Sequence, residues 1–251
     1  MALSVRALHL GTLRNLPKPA ILFQSGWDER IDIAMIMYVI EGGDSPIIVD
    51  TGTPGREHVS RWHEGYDLDR PAEQEPARAL ADAGIDPESV KTIIHTHLHW
   101  DHSSNNDLFP NARILVQEAE LHYAVTPVEV NRVAYELNPG LRPPWWGSLD
   151  RMVPVIGEYK VAEGVTLIPL PGHTPGSQGV LVEAAGTRYL IAGDCLDTYE
   201  NWAGDKHVHH RPSGAFTNLL DYTKSLATIE SLNCEVIPSH DLAVVKRGLF
   251  A

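Results

Sequence analysis

The apolar and polar positions of the first fifty residues predict antiparallel β-structure. Three segments have the apolar and β-branched content of strands: Arg6–Leu13, Ala34–Glu41 and Ser45–Gly52. A Gly-Gly-Asp turn of the hairpin type separates the last two segments. We therefore expect the chain to begin as an antiparallel sheet.

The middle of the chain changes to a helical period and then returns to short strands. Residues 72–86 have the small and apolar spacing of a helix that stops at Gly84, and a β-branched strand, Val90–Thr96, follows it. The next predicted elements are a strand over Ala112–Gln117 and helices over residues 118–125 and 127–137.

A connection rich in Pro and Gly, Asn138–Gly157, contains the adjacent tryptophans Trp145 and Trp146, and we expect it to be an ordered loop that forms a pocket wall. The elements predicted after it are strands over Gly164–Gly172, Ser177–Gly186 and Thr187–Asp194, a helix over Ala215–Leu232 and a strand over Cys234–Asp241. Mostly antiparallel strands interrupted by helices indicate an α+β architecture, with two packed sheets and helices outside. We expect a single domain over residues 1–251.

The charge balance narrows the classes of partner. The chain has 20 Lys+Arg against 33 Asp+Glu, and its formal net charge of -13 would repel a phosphate backbone, so no nucleic acid partner is expected. No segment is apolar for the length of a membrane helix, and the first residues lack the apolar core of a signal peptide. A cytoplasmic protein without a membrane partner is therefore expected. Cys195 and Cys234 lie outside any CxxC pattern, which argues against a disulfide framework or a thiolate zinc site.

The sequence HTHLHWDH, residues 95–102, concentrates metal-ligating side chains at the end of a predicted strand. Beyond that strand, His97, His99, Asp101 and His102 enter a turn in which they can converge on one point. Imidazole and carboxylate groups together suit zinc or a similar divalent ion. This pattern predicts a metal site.

Three further candidate ligands also follow predicted strands: His173, Asp194 and His240. Strand ends that return to one edge of a sheet can bring these side chains to the cluster. Together with the cluster they would supply two metal sites. The other seven histidines, which include His207, His209 and His210, are individually interpreted as structural or surface residues.

The set HTHLHWDH, GHTPGS, GD and SHD, in this order, resembles the metallo-β-lactamase superfamily. With the flanking sequence VDTG, it resembles the acyl-homoserine lactonase-like branch in particular. The resemblance covers nearly the whole chain and implies an αββα sandwich of two similar halves. It also implies a hydrolase that opens a small lactone or related ester and binds two zinc ions per chain, with iron or manganese as alternatives. The oligomeric state, including a homodimer, stays open.

The resemblance also implies a role for each candidate ligand. The first metal would be bound by His97, His99 and His173, the second by Asp101, His102 and His240, and Asp194 would bridge the two. His95 is outside the family pattern, and we expect it to pack beside the strand.

Two cations about 3.5–4 Å apart lower the pKa of a bridging water toward neutrality. The expected nucleophile is therefore a bridging hydroxide, and Asp101 would accept a hydrogen bond from it. A serine nucleophile is not expected, because the sequence has no Gly-x-Ser-x-Gly elbow.

The chain departs from the lactonase pattern three residues after Asp194. Lactonases commonly carry a tyrosine there, whereas this chain has Asp197, with Tyr199 two residues further on. An ionised carboxylate cannot donate a hydrogen bond to a substrate carbonyl. Either Tyr199 reaches the substrate from its shifted position, or Asp197 recognises a donor or cationic group. We favour the second interpretation, and expect long-chain acyl-homoserine lactones to be poor substrates.

Other functions of the same fold stay open at this point. One is iron-dependent redox chemistry, as in persulfide dioxygenases, which use similar ligands. Another is hydrolysis of thioesters or β-lactams. Cleavage of nucleic acid is disfavoured by the net charge of -13.

Overall fold

The chain folds into two β-sheets that pack face to face and carry helices on their outer surfaces. The computed structural model describes residues 2–251. The first sheet contains β1 (Ser4–Pro17), β2 (Arg30–Glu41), β3 (Ile47–Val49), β4 (Asp67–Asp69), β5 (Thr92–Ile94), β6 (Arg113–Gln117), β7 (Met152–Val155) and β13 (Leu249–Phe250). The second contains β8 (Tyr159–Ala162), β9 (Val165–Pro169), β10 (Gln178–Ala184), β11 (Thr187–Ile191) and β12 (Glu235–Ile237).

The helices are short except for one near the C-terminus. They are α1 (Lys18–Ile21), α2 (Arg56–Trp62), α3 (Pro76–Asp82), α4 (Trp100–Ser103), α5 (Glu118–Val125), α6 (Tyr199–Ala203), α7 (Leu219–Leu232) and α8 (Leu242–Arg247). Within residues 2–251, none of them is both long and apolar enough to cross a membrane.

Both sheets are mixed, although most pairings are antiparallel. The first has the strand order β13-β1-β2-β3-β5-β6-β7, with β4 paired to β1, and its pairings from β3 to β7 are parallel. The second has the order β12-β11-β10-β9-β8, in which only β11 and β12 run parallel. The α+β sandwich predicted from the sequence is confirmed, and β2 and β3 form the expected antiparallel pair.

Strand β2 contains an almost unbroken run of apolar residues, because both of its faces are buried. Its side chains alternate between two cores: Met35 and Met37 pack under the helices of the first sheet, whereas Ile36 and Tyr38 pack between the sheets. Successive side chains of a strand point to opposite faces, so a strand covered on both faces must be apolar throughout. The Tyr38 hydroxyl donates a hydrogen bond of 2.5 Å to the carbonyl of Pro238, which satisfies the one polar group that this residue buries.

Helix α7 covers the outer face of the second sheet. Its buried positions Tyr222, Leu226 and Ile229 recur at helical spacing and pack into a third apolar cluster. The helix begins where Asn218 accepts hydrogen bonds from two backbone amides, and it ends at Asn233 in a left-handed conformation. The layer order is therefore helix, sheet, sheet, helix.

Two predicted segments differ from the structure. Residues 127–137 contain only a 3₁₀ turn, Glu129–Asn131, in place of the predicted helix. Tertiary contacts divert this segment, since the amide of Trp100 donates to the carbonyl of Ala134 and Glu136 has a left-handed φ of 52°. The predicted loop Asn138–Gly157 contains a 3₁₀ helix, Pro144–Arg151, and the strand β7.

The loop after β9 lies directly against the start of α5. A Cβ atom at Gly176 would lie 2.0 Å from the backbone nitrogen of Glu120, a distance that real Cβ atoms do not reach. Because the opposing atom belongs to the backbone, we predict that Gly176→Ala lowers the free energy of unfolding by about 1–3 kcal/mol or more. Denaturant unfolding measures the change.

Gly55→Ala is the matched control, because its Cβ would meet nothing within 4 Å and its φ is -65°. This variant should lose less than about 1 kcal/mol. Equal losses in the two variants would contradict the packing argument.

Candidate metal centre

The candidate ligands lie beyond the carboxyl ends of four strands, at one edge of the sandwich. His97, His99, Asp101 and His102 follow β5, and the remaining three follow β9, β11 and β12. Since β11 and β12 are parallel, Asp194 and His240 emerge at the same edge. The site is therefore assembled from both sheets, and the seven predicted ligands are brought together.

Three histidines form the first group. The Nε2 atom of His97 lies 3.0 Å from Nδ1 of His99, and Nε2 of His173 lies 3.1 Å from the same Nδ1. The Oδ2 atom of Asp194 lies 3.8 Å from Nε2 of His97 and 3.4 Å from Nε2 of His173. Four potential ligand atoms thus surround one point.

The second group uses the other oxygen of the same carboxylate. The Oδ1 atom of Asp194 lies 3.2 Å from Nε2 of both His102 and His240. Asp101 completes the group, with its Oδ2 atom 3.8 Å from His102 Nε2 and 3.9 Å from His240 Nε2. Asp194 therefore stands between the two groups and offers one oxygen to each.

Hydrogen bonds on the far side of the rings aim lone pairs at the centre. The Nδ1 atoms of His173 and His240 contact the carbonyl oxygens of Ala215 and Ala34, at 2.8 and 2.9 Å. A carbonyl only accepts, so each Nδ1 must donate, and the Nε2 of the neutral ring is left as an acceptor. His102 Nε2 is buried without a hydrogen-bond partner. Such a set of converging acceptors needs a cation, and the residues present therefore fit divalent metal ions.

The electrostatics of the cluster favour positive charge at its centre. Although burial would raise it, the surrounding histidines, His102 and His240 foremost, lower the pKa of Asp194 well below its usual value. Burial would lower the pKa of His240, but the carboxylate of Asp194 raises it to about 9. The negative field of Asp194, which holds a proton on His240, would stabilise a bound cation in place of that proton.

Asp50, in the VDTG sequence, is a supporting residue whose specific role was not predicted from the sequence. Its Oδ2 atom lies 2.8 Å from Nδ1 of His102, and its two oxygens accept hydrogen bonds from the backbone and the hydroxyl of Thr96. Burial would raise its pKa, but His102, together with His95, lowers it to about 2. Asp50 therefore stays ionised and fixes the ring of one candidate ligand.

Glu120 is a second supporting residue, and no sequence signal pointed to it. Its buried carboxylate accepts hydrogen bonds from the amide of Leu98, the hydroxyl of Tyr135 and the hydroxyl of Thr174. Leu98 lies between two candidate ligands and Thr174 follows His173. One carboxylate thus links both ligand-bearing loops.

His95 lies outside the cluster, as expected for a packing residue. It is fully buried, and its Nε2 atom lies 2.8 Å from the side-chain oxygen of Asn106.

A cavity of about 480 Å³ opens above the centre. Its floor includes Asp101, His173, Asp194 and His240. Its walls are mainly apolar and include Leu13, Leu16, Pro17, Ala20, Ile21, Ile33, Tyr66 and Trp100. The N-terminal wall residues come from β1, α1 and β2, segments in which the sequence predicted no site.

Asp197 lines this cavity, whereas Tyr199 is not among its lining residues. The Asp197 side chain is buried, and its Oδ2 atom has no hydrogen-bond partner. Burial and the negative charge of Asp194 raise the pKa of Asp197 well above its usual value, and bound cations would lower it again. Tyr199 is half-buried at the start of α6, where it packs against the two cores of the second sheet.

The expectation that the two tryptophans form the pocket wall is corrected. Trp145 is fully buried in a separate apolar cluster with Leu98, Val116 and Tyr135, and Trp146 is exposed. Neither lines the cavity above the metal-ligating cluster. The 3₁₀ helix that carries them packs behind the cluster, because Trp145 fills the space beside β6 and α5.

The comparisons with known proteins agree with this geometry. A profile described as the metallo-beta-lactamase superfamily matches residues 37–240, which include all seven candidate ligands. The chain belongs to the metallo-beta-lactamase superfamily. The resemblance drawn from the sequence motifs is confirmed.

Curated relatives of this chain include N-acyl homoserine lactonases. An N-acyl homoserine lactonase of Bacillus sp is 32% identical over 185 residues, which cover 70% of each chain. The N-acyl homoserine lactonase AttM of Rhizobium radiobacter is 31% identical over 215 residues, or 81% of this chain and 76% of the relative.

Solved structures share the fold over nearly the full length. An N-acyl homoserine lactone hydrolase with N-hexanoyl-L-homoserine bound at its catalytic metal centre has a TM-score of 0.78 at 23% identity, covering 98% of this chain and 97% of that one. A dizinc quorum-quenching lactonase has a TM-score of 0.70 at 16% identity, covering 98% and 89%.

The contact between Asp50 and His102 leads us to predict that Asp50 affects the affinity of the candidate site for zinc. Asn tolerates the left-handed φ of 56° at this position, so Asp50→Asn should fold but should lose the charge that orients His102. We predict a loss of roughly 10–100-fold in zinc affinity at one of the two groups. Competition against a chromophoric chelator measures it.

Asp107→Asn, at an exposed position, is the control and should bind zinc as the wild type does. Wild-type affinity in Asp50→Asn would show that Asp50 only holds strand ends together.

Proposed function

We propose that this protein is a dinuclear, metal-dependent hydrolase that opens the ring ester of a small lactone. The observation that carries the proposal is the pair of ligand groups that share Asp194 at the floor of an apolar-walled cavity. The lactonase relatives support the choice of lactones as the substrate class.

The donor set favours two zinc ions. One group offers three imidazoles, the other offers two imidazoles and a carboxylate, and Asp194 is shared. Imidazole and carboxylate are ordinary zinc ligands, and each group with its oxygen of Asp194 supplies the four donors of a tetrahedral site. Iron and manganese accept the same donors, so the identity of the metal is a matter for elemental analysis.

When bound, two divalent ions supply a water that is nucleophilic at neutral pH and polarise the ester carbonyl. The residues of the chain prepare the rest of the reaction. Asp101 lies at the cavity floor with its carboxylate between His102 and His240, where it can accept a proton from the attacking water. The surrounding histidines are fixed by their outer hydrogen bonds, so the site needs little rearrangement.

The cavity matches an acylated lactone in size and polarity. Its apolar wall from β1, α1 and β2 provides a surface for an acyl chain, while the polar floor faces the ring ester. Asp197 contributes an unpartnered oxygen next to the floor. We assign it the recognition of a hydrogen-bond donor on the substrate, such as an amide N–H.

Other reactions of the fold receive less support. The relatives favour lactone hydrolysis over iron redox chemistry and over cleavage of thioesters or β-lactams. A pH-indicator assay of the zinc-loaded protein with lactones, thioesters and β-lactams tests the proposal, because each hydrolysis releases a proton near neutral pH. Turnover of thioesters or β-lactams without turnover of lactones would overturn it.

Asp101→Asn tests the role of the floor carboxylate. An amide cannot accept the proton of the attacking water, so kcat/KM for a lactone should fall by at least about 10²-fold. Elemental analysis of the zinc-saturated wild type should find at least two ions per chain. Asp101→Asn is assayed at saturating zinc, because it also loses a ligand of the second group, and its melting temperature should change little. A wild-type rate in this variant, or no more than one ion in the wild type, would contradict the dinuclear arrangement.

Asp197→Ala tests substrate recognition. If Asp197 accepts a substrate N–H, kcat/KM should fall by about 10-fold for acyl-homoserine lactones and should change little for alkyl lactones without an amide. Asp197→Asn, which retains an accepting oxygen, should recover part of the loss. The sequence analysis expects long-chain substrates to be poor, whereas the apolar wall favours them; a series of acyl lengths in the same assay decides between the two. Equal effects on both classes of lactone would remove Asp197 from recognition.

A further inference from the structure

Two histidines that the sequence analysis left as structural residues meet a buried carboxylate away from the seven ligands. His58 lies on α2, His63 follows the same helix, and Glu136 lies in the turn-rich segment after α5. The Nε2 atoms of His58 and His63 lie 2.6 and 2.8 Å from one oxygen, Oε1 of Glu136. Both His63 and Glu136 are almost completely buried.

The arrangement has the form of a ligand set. Two imidazoles and a carboxylate are the donors of many three-ligand zinc sites, and all three donor atoms lie within 4.8 Å of one another. Both rings aim the same nitrogen at one point, as the histidines of the catalytic cluster do around Asp194. A buried carboxylate needs a compensating positive charge, and a cation bound between these atoms would supply it.

The site is also accessible to an ion. The His58 side chain is 34% exposed, whereas those of His63 and Glu136 are 1% and 2% exposed. An ion could therefore enter beside His58 and retain a water as its fourth ligand.

We propose that His58, His63 and Glu136 bind a third divalent ion, zinc(II), separate from the catalytic pair. The ion joins α2 to the segment that carries Glu136, two parts of the chain more than 70 residues apart. Its role is structural and it adds no group to the reaction.

A zinc ion here would stiffen the wall of the cavity. The His63 ring stacks on Trp100, with 3.9 Å between ring centroids and an interplanar angle of 19°. Tyr66 meets the Trp100 ring edge-on at 5.8 Å, and both Tyr66 and Trp100 line the cavity. Trp100 immediately precedes Asp101, so fixing His63 fixes a neighbour of the floor carboxylate.

His58→Gln is the decisive variant. The glutamine amide can still donate a hydrogen bond to Glu136, so the fold is preserved, but glutamine is a poor zinc ligand. The full-length protein is stripped with chelator, saturated with zinc sulfate, desalted and analysed for zinc per chain. We expect one ion fewer in His58→Gln than in the wild type, and a smaller rise of melting temperature on zinc addition.

His122→Gln, an exposed histidine on α5, is the matched control and should retain the wild-type count. Glu136→Gln provides a second variant with the same expected loss of one ion. Because only differences between variants are counted, zinc held at the surface cluster of His209, His210 and Glu230 cancels.

Equal zinc counts in wild type, His58→Gln and Glu136→Gln would overturn the proposal and identify the cluster as a hydrogen-bonded buried carboxylate. No lactone enters this experiment. Its outcome is therefore independent of whether the protein hydrolyses lactones.

Discussion

The buried carboxylate of Asp194 is the interaction on which the site depends. It lies among four histidines and offers one oxygen to each of the two ligand groups. Rings whose lone pairs converge in a desolvated space repel one another unless a proton or a metal ion lies between them. A shared carboxylate compensates two cations at once, which explains how the ends of three strands of the second sheet and of one strand of the first can meet at this point.

The fold maintains this arrangement through a second set of buried acids. Asp50 ties His102 to the end of β5, and Glu120 ties the loop of His99 to the loop of His173. Each accepts three hydrogen bonds, so neither buried carboxyl group is left without hydrogen-bond partners. The close backbone approach at Gly176 brings Glu120 within reach of Thr174. The geometry of the candidate metal centre and the stability of the fold therefore depend on the same contacts.

The cavity above the centre has two chemically different surfaces, one polar and one apolar. Its polar floor belongs to the candidate metal-ligating groups, while its apolar wall comes from the N-terminal strands and α1. The stack of His63 on Trp100 connects the end of α2 to that wall, because Trp100 lines the cavity. Under the proposed function, a substrate with a ring ester at one end and an apolar chain at the other would contact both surfaces, and Asp197, which lines the same cavity, would distinguish among such substrates.

The sequence by itself determined most of the strands, the sandwich architecture and the seven candidate ligands. Strand periodicity and the spacing from His97 to His102 are local properties of the chain, and the motif resemblance extends to His173, Asp194 and His240. The sequence could not reveal Glu120, the apolar wall from Leu13 to Ile33, or the meeting of His58 with Glu136. It also assigned a helix to residues 127–137 and a pocket to Trp145. Each of these depends on contacts between segments far apart in sequence, where burial and hydrogen bonding override local propensity, and only the tertiary structure decides which distant side chains share a space.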